Sequence, residues 1–383
     1  MIESSETTHL FESLGDYSHE EYRKVEEANF PFSKFEFLSA MEASGAVGPG
    51  TGWLPLYFCN DKKDLSRGFS YLYEKWDSYG EYIFDWDWAR GAHQAGIRYF
   101  PKLVSAVPFT PATGHKLLPI GLKGSEKLKL IKGAISLAEE RGYSSLHYLF
   151  LAKNELPLFR EAELLIRHSF QFHWFNRGYQ CFDDFLGKLK SRKRKQIKKE
   201  RRSCRESGLS FERLTGSQLT EDDALRFYPF YLSTIDKKFA NAYLPQSFFS
   251  QLFTSQNKDV HLFVAKKEET WVGAALCLQS GVNLFGRYWG CLEEYRYLHF
   301  ELCYYRPIEW AIHCGMEKYE AGAQGEHKIQ RGFDPVFTYS AHWIAHPMLK
   351  AAIASYIESE RKGLVRAFEM LKGESPYKFA HET

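Results

Sequence analysis

Two stretches of the chain crowd reactive side chains at close spacing. The first, SRKRKQIKKERRSCRESG from Ser191, places nine Lys or Arg among the fifteen residues Ser191–Arg205, with Glu200 the lone acid among them. Coiled as a helix, it sets Arg192, Lys195, Lys199 and Arg202 along one side. Like charges at i,i+4 repel by roughly a few tenths of a kcal/mol per pair. Repulsion accepted that often suits a phosphate-bearing partner, and suits equally a helix whose charges face water. The second stretch, EAGAQGEHKIQRGFDP, spaces Gly322, Gly325 and Gly332 among Glu320, Gln324, Glu326, His327, Lys328 and Arg331. The glycines make it a loop, and a loop leaving the end of a strand is where α/β folds carry reactive groups. Such groups serve proton transfer and charge stabilisation, or merely tie a surface loop together.

Weaker candidates lie elsewhere. In GRYWGCLEE, Arg287 stands in an aromatic strand beside Trp289. Buried there it must meet a carboxylate, such as Glu293, Glu294 or Glu301, or else a ligand. Asp236 adjoins Lys237 and Lys238, and the run YGEYIFDWDW carries Glu81, Asp85 and Asp87. Acids in a ring-lined groove hold an incoming amine by charge and cation–π contact, or pair with the basic helix.

Absent motifs narrow the chemistry. The sequence has no GxxxxGK[ST] loop and no GxSxG elbow. After Gly290 the chain reads CLEEYRYLHF, without the glycines that let a backbone cradle the diphosphate of coenzyme A. His342 and His346 are four apart with no third ligand in sequence, so no metal site is expected. Seven scattered Cys, with no CxxC pair, read as reduced and mostly buried thiols.

These groups need a scaffold. PFSKFEFLSAMEASG has apolar residues at helical spacing, closed by Gly45. WLPLYFC and GFSYLY flank a polar turn as a hairpin, and YGEYIFDWDW reads as a third strand. Then follow the helical WARGAHQAGIRY, the strand KLVSAVPF, the amphipathic helix SEKLKLIKGAISLAEERG, the strand SSLHYLFL, a helix over PLFREAELLIRHS and the strand FQFHWF. The second half runs in the same order. VHLFVAK and WVGAALCLQ form a hairpin, NLFGRYWG a third strand, HFELCYYRPIEWAIHCG a helix that Pro307 kinks or restarts, and KYEAG a strand. The order implies an internal duplication.

The chain has 383 residues, with 50 Lys+Arg against 48 Asp+Glu and a net charge of +2. That balance excludes a protein that coats nucleic acid with its whole surface, so any phosphate-binding role is local. No run reaches the roughly 18 apolar residues of a membrane span. MIESSETTHL lacks the basic and apolar regions of a secretory signal, and a cytoplasmic protein is expected.

Hairpin, central strand, helix and strand is also the core order of the GNAT acyltransferases. The chain resembles the Fem-type (FemAB-like) branch of that superfamily, and within it an uncharacterised cytoplasmic bacterial family. The resemblance rests on DWDWARGAHQAGIRYFPKLVSAVPFTPATG, QFHWFNRGY, SRKRKQIKKERR, GRYWGCLEE, and EAGAQGEHKIQRGF with YSAHWIAHP, from about residue 35 to 348. It implies an α/β (α+β) protein of two tandem GNAT-like units, each a mixed, mainly antiparallel sheet flanked by helices, joined by a basic helix. Expected boundaries are a polar lead-in at 1–30, a first unit at 31–180, the linking helix at 181–210, a second unit at 211–350 and a C-terminal helix and tail at 351–383.

The implied activity is amide formation by transfer of an acyl or aminoacyl group to an amine. The donor is expected to be aminoacyl-tRNA rather than a bound cofactor, and the acceptor a peptidoglycan precursor or other amine-bearing molecule, held in an aromatic groove between the units. The resemblance sets Lys328 near the scissile ester, where its ammonium steadies the tetrahedral oxyanion, with His327 or Glu326 taking the proton. Arg287, Trp289, Glu320, Gln324, Arg331 and Asp236 are the candidate substrate contacts, and Arg192, Lys195, Lys199 and Arg202 the phosphate contacts. Two alternatives stand beside this reading: an acetyl-CoA-dependent N-acetyltransferase, and a non-catalytic module that binds RNA or a precursor.

Overall fold

A computed structural model describes residues 9–237, 241–323 and 325–378. The chain divides into two compact units that interleave in sequence. Unit 1 takes the residues up to Glu27, Phe32–Ser169 and Phe337–Arg366; unit 2 takes Ala28–Pro31, Phe170–Val336 and the chain from Ala367.

Besides a small sheet of His9–Phe11, Tyr57–Cys59 and Phe69–Ser70, the strands are β1 (Leu54–Pro55), β2 (Tyr73–Lys75), β3 (Lys102–Ser105), β4 (Ser145–Tyr148), β5 (Leu165–Phe175), β6 (Leu209–Thr215), β7 (Val260–Lys267), β8 (Thr270–Ser280), β9 (Asn283–Cys291), β10 (Lys318–Glu320) and β11 (Asp334–Ile344). In unit 1 the order is β1-β2-β3-β4-β11, with β3 and β4 parallel and the other neighbours antiparallel. In unit 2 it is β5-β10-β9-β8-β7-β6, with β9 and β10 parallel and the rest antiparallel. The strand beside β4 is therefore β11, which follows unit 2 in the chain, and the strand beside β10 is β5, which follows unit 1.

Each parallel pair requires a crossover helix. These are α3 (Gly124–Glu140) in unit 1 and α7 (298–313) in unit 2. The first packs Leu130, Ile131, Ala134 and Ala138 onto the sheet; the second packs Leu302, Tyr305, Ile308 and Ala311. Just ahead of Pro307, residues Glu301–Tyr305 form a π-helical turn, which is where the missing proline N–H interrupts α7. The remaining helices used below are α1 (Phe35–Ala43), α2 (Trp86–Gln94), α4 (Leu156–Glu161), α5 (Ser191–Glu206), α6 (Glu221–Lys237) and α8 (Pro347–Gly373). Among the described helices none is long and apolar enough to cross a membrane.

Four expectations are corrected. YGEYIFDWDW is not a strand: it forms a loop into α2, and β3 is the central strand instead. The helix over PLFREAELLIRHS stops at Glu161 as α4, and Leu165 already belongs to β5. Residues 9–27 are not a loose lead-in, because Phe11, Leu14, Tyr22 and Val25 are buried and a Ser18–Glu21 capping box starts a helical turn. The units also differ from contiguous blocks, since most of β11 and the first turns of α8 fall in unit 1.

Candidate functional site

The site forms in unit 2 where the parallel pair comes apart. β9 and β10 pair only over Asn283–Phe285 and Lys318–Glu320, while β9 continues to Cys291. Just past the pairing, the β8–β9 register slips between Leu276↔Tyr288 and Cys277↔Gly286, leaving Arg287 as a bulge residue. Gly286 is required there, because a Cβ would lie 2.6 Å from the Tyr319 hydroxyl.

After Glu320 the chain turns into a 3₁₀ helix, Glu326–Arg331. Gly325 begins it with φ +115°, and a side chain there would meet the His327 ring at 2.6 Å. Lys328 turns inward: it is 2% exposed, and its Nζ donates to Gly322 O at 2.8 Å. Arg331 fixes the turn from below. Its Nη2 reaches both Glu200 oxygens at 3.0 and 3.1 Å, its Nε donates to the Tyr305 hydroxyl at 3.1 Å and its Nη1 to His327 O at 2.9 Å. The guanidinium lies 3.4 Å from the centroid of the Phe300 ring. Removing one partner of such a buried pair costs about 3–5 kcal/mol.

Glu200 comes from the basic run, which does form helix α5. Ile197, Glu200, Arg201 and Cys204 make its buried face. Arg201 contacts Glu301 and Glu309 at 3.1 and 2.7 Å and stacks over Phe182. Arg192, Lys195, Lys199 and Arg202 are all exposed, as a shared helical side requires. The lone acid of the run is thus its inward anchor, and the candidate phosphate contacts are its outer stripe.

Beneath the turn lies a buried charged layer. Glu320 on β10 sits opposite His173 on β5 in the strand register, and its Oε1 accepts from Lys318 Nζ at 2.7 Å. Burial works to raise the Glu320 carboxyl, yet the charges of Lys318 and Arg287 help to hold the group below the usual range. Burial pushes His173 down to about 4, against the pull of Glu320, so its ring is neutral. Arg287 was expected to meet Glu293, Glu294 or Glu301, or else a ligand. Instead Glu293 accepts from Tyr295, Glu294 pairs with Lys237, and Glu301 takes Arg201 and Arg306. Arg287 Nη1 donates to Gly286 O at 2.9 Å, and its charge acts on Glu320 and His173.

Aromatic rings line the outer side. Trp289 lies tilted against His299, ring centroids 4.4 Å apart, and the His327 ring lies 5.8 Å from both Phe300 and Tyr304. His327 Nε2 is 2.8 Å from the Tyr304 hydroxyl. Burial, then Arg331 and Lys328, lowers the His327 imidazole below its ordinary value, which leaves it neutral and able to accept a proton at neutral pH. Glu326 is exposed at the first turn, Asp236 is exposed at the end of α6, and Gln324 lies outside the described residues.

Seven free Cys are present, of which Cys59, Cys204, Cys277 and Cys291 are buried. His342 is buried in unit 1 with its Nδ1 2.6 Å from His147 Nδ1, whereas His346 is exposed. Among the described residues, His19, Glu26 and Glu36 bring ligand atoms within 4.8 Å of one another. There His19 Nε2 accepts from Arg23 Nε at 3.2 Å and lies 3.1 Å from Glu36 Oε1.

The profile of the FemAB-like family, described as peptidoglycan biosynthesis/recognition, matches residues 13–379. The chain belongs to the FemAB-like family. This FemAB-like protein is a transferase with an acyltransferase fold. The sequence matches no curated protein. Among solved structures it is similar to FemX, with 11% identity, a TM-score of 0.52, and coverage of 90% of this chain and 100% of that one. It is also similar to the C-terminal domain of a putative lysylphosphatidylglycerol synthetase from Agrobacterium fabrum, at 10% identity and TM-score 0.52, covering 88% and 96% of the two chains. A conserved protein of unknown function from Bacteroides thetaiotaomicron matches at 10% identity and TM-score 0.50, covering 86% and 98%. At these identities the likeness establishes the fold alone.

Sequence reasoning missed Glu200, Tyr304 and His173. The isolation of Glu200 among nine cations was a usable signal. For His173 there was none, because its partner Glu320 is about 150 residues away and the strand order that joins them is not written in either segment.

Proposed function

We propose that the FemAB-like protein transfers an aminoacyl group from an ester, carried by aminoacyl-tRNA, to the amine of a peptidoglycan precursor. The observation that carries this reading is the buried Lys328 ammonium, anchored at the parted end of β9 and β10. As the amine attacks the ester carbonyl, negative charge gathers on the carbonyl oxygen. A fixed cation in a water-poor site steadies that charge far better than one in bulk solvent. His327 takes the proton the attacking nitrogen loses. The ester C–O bond then breaks, and the proton leaves with the ribose hydroxyl of the tRNA. Trp289, His299, Phe300 and Tyr304 provide ring faces for the acceptor, and the outer stripe of α5 meets the phosphates of the donor.

The turn ahead of α7 favours this donor over acetyl-CoA. Glu293 and Glu294 are exposed where the diphosphate would lie. Leu298 N–H and Phe300 N–H are spent on Tyr295 O and Tyr297 O. Two carboxylates repel the anion that a glycine turn would cradle. The test is transfer of label to a wall-peptide amine from charged tRNA and, separately, from acetyl-CoA. Label from tRNA alone is expected; label from acetyl-CoA alone overturns the donor, and label from neither overturns the activity.

A further inference from the structure

The loop between β2 and α2 in unit 1 is held from below by two lysines with no solvent exposure. Lys75 and Lys102 are cross-strand partners on β2 and β3. Lys75 Nζ reaches Asp77 Oδ1 at 3.1 Å and Tyr79 O at 3.0 Å, and its ammonium lies 4.1 Å from the centroid of Trp53. Lys102 Nζ reaches Ser78 Oγ at 3.1 Å, Glu81 at 3.0 Å and Asp85 at 2.5 Å, and Asp85 also accepts from the Tyr99 hydroxyl at 2.6 Å. Along the loop the burial alternates. Glu81, Ile83 and Asp85 are buried, whereas Phe84 and Trp86 face outward with their rings 4.6 Å apart. The outer side shows Trp76 at 62%, Tyr79 at 62%, Phe84 at 44% and Trp86 at 52% exposure.

Large rings left in water by a loop so firmly tied to the fold are a pre-organised contact surface, since little backbone freedom remains to be lost on binding. The charge around them selects the partner. Asp77 and Asp87 stand partly exposed, the two lysines are sealed beneath, and Arg90 is paired with Asp87. A phosphate or an anionic lipid surface would meet carboxylates there. A neutral, hydroxyl-rich partner would meet acceptors beside flat apolar faces. We infer that this loop is a saccharide platform, on which the C–H faces of pyranose rings stack against Trp76, Tyr79, Phe84 and Trp86 while Asp77 and Asp87 accept hydroxyl protons. The choice of a glycan rests on the reading of the acceptor as a peptidoglycan precursor.

The probe is tetra-N-acetylchitotetraose, titrated into the full chain with tryptophan fluorescence as the readout and no donor present. Saturable binding is expected, weakened at least about tenfold by Trp76→Ala with Trp86→Ala and restored in part by Phe at both positions. Unchanged binding in the Lys328→Met variant separates this surface from the transfer site, so a failed transfer assay would leave the platform standing. Absence of saturable binding in the unaltered protein overturns the inference. So does equal binding by the double Ala variant, or recruitment to phosphatidylglycerol vesicles that depends on the same rings.

Discussion

Glu200 and Arg331 close a buried ion pair, 3.0 Å apart, between the basic helix and the turn that carries Lys328. The acid is what makes the helix a structural part of the site. Glu200→Ala should lower the unfolding free energy by about 3–5 kcal/mol, because Arg331 is left as an uncompensated charge. Lys199→Ala, one residue away and exposed, should stay within about 0.5 kcal/mol. Urea denaturation measures both, and similar small losses would show that the pair holds nothing.

Lys328→Met keeps most of the unbranched side chain and removes its charge. If the ammonium acts on the transition state, kcat falls about 10²–10³-fold with KM nearly constant. A rise in KM at constant kcat would assign Lys328 to binding instead.

The lowered imidazole of His327 fixes the sign of a pH effect. Its proton-accepting form is present above its depressed pKa, so activity should climb with pH along an acid limb whose midpoint lies below 6.5, the ordinary value. Steady-state rates against pH test this, and His327→Gln should abolish the limb. A limb that survives the substitution belongs to another group.

The outer stripe of α5 predicts a salt effect. Replacing Arg192, Lys195, Lys199 and Arg202 by Ala should reduce the slope of log K against log salt for tRNA by about one per charge removed. A slope that stays the same leaves the stripe to the solvent.

Glu81 predicts a stability effect in unit 1. Burial, opposed by Lys102, raises its carboxyl to about 7 from 4.5. Between those values the folded chain holds a proton that the unfolded chain has released. Its share of stability is therefore full below 4.5 and is lost as pH rises toward 7. In Glu81→Gln the fall in unfolding free energy across that window should be flatter than in the unaltered chain. Parallel curves would place the titration elsewhere.

The sequence carried the fold to the level of single elements, and its failures have physical causes. The alternation in GEYIFDW is real, but it records acids tied down to Lys102 and rings turned to water rather than a strand with neighbours. Period-two burial needs a floor beneath one side, and a pair of ammonium groups can provide it as well as a sheet can. The charged run at Ser191 does coil into a helix, and the glycines marked the stretch around Lys328 as leaving the strand, while its role came from the family resemblance. For Arg287, Glu293 and Glu294 lie on the exposed turn after β9, while the acid on which its charge acts, Glu320, arrives on β10. Non-local strand order decides which acid that is.

The late position of β11 has a consequence for synthesis. Unit 1 cannot finish its sheet until Phe337–Ile344 has been translated, and by then nearly all of unit 2 has emerged. The earlier domain on the ribosome must wait, incomplete, for a strand encoded near the far end of the message, and a truncation before that point leaves β4 paired on the β3 side alone.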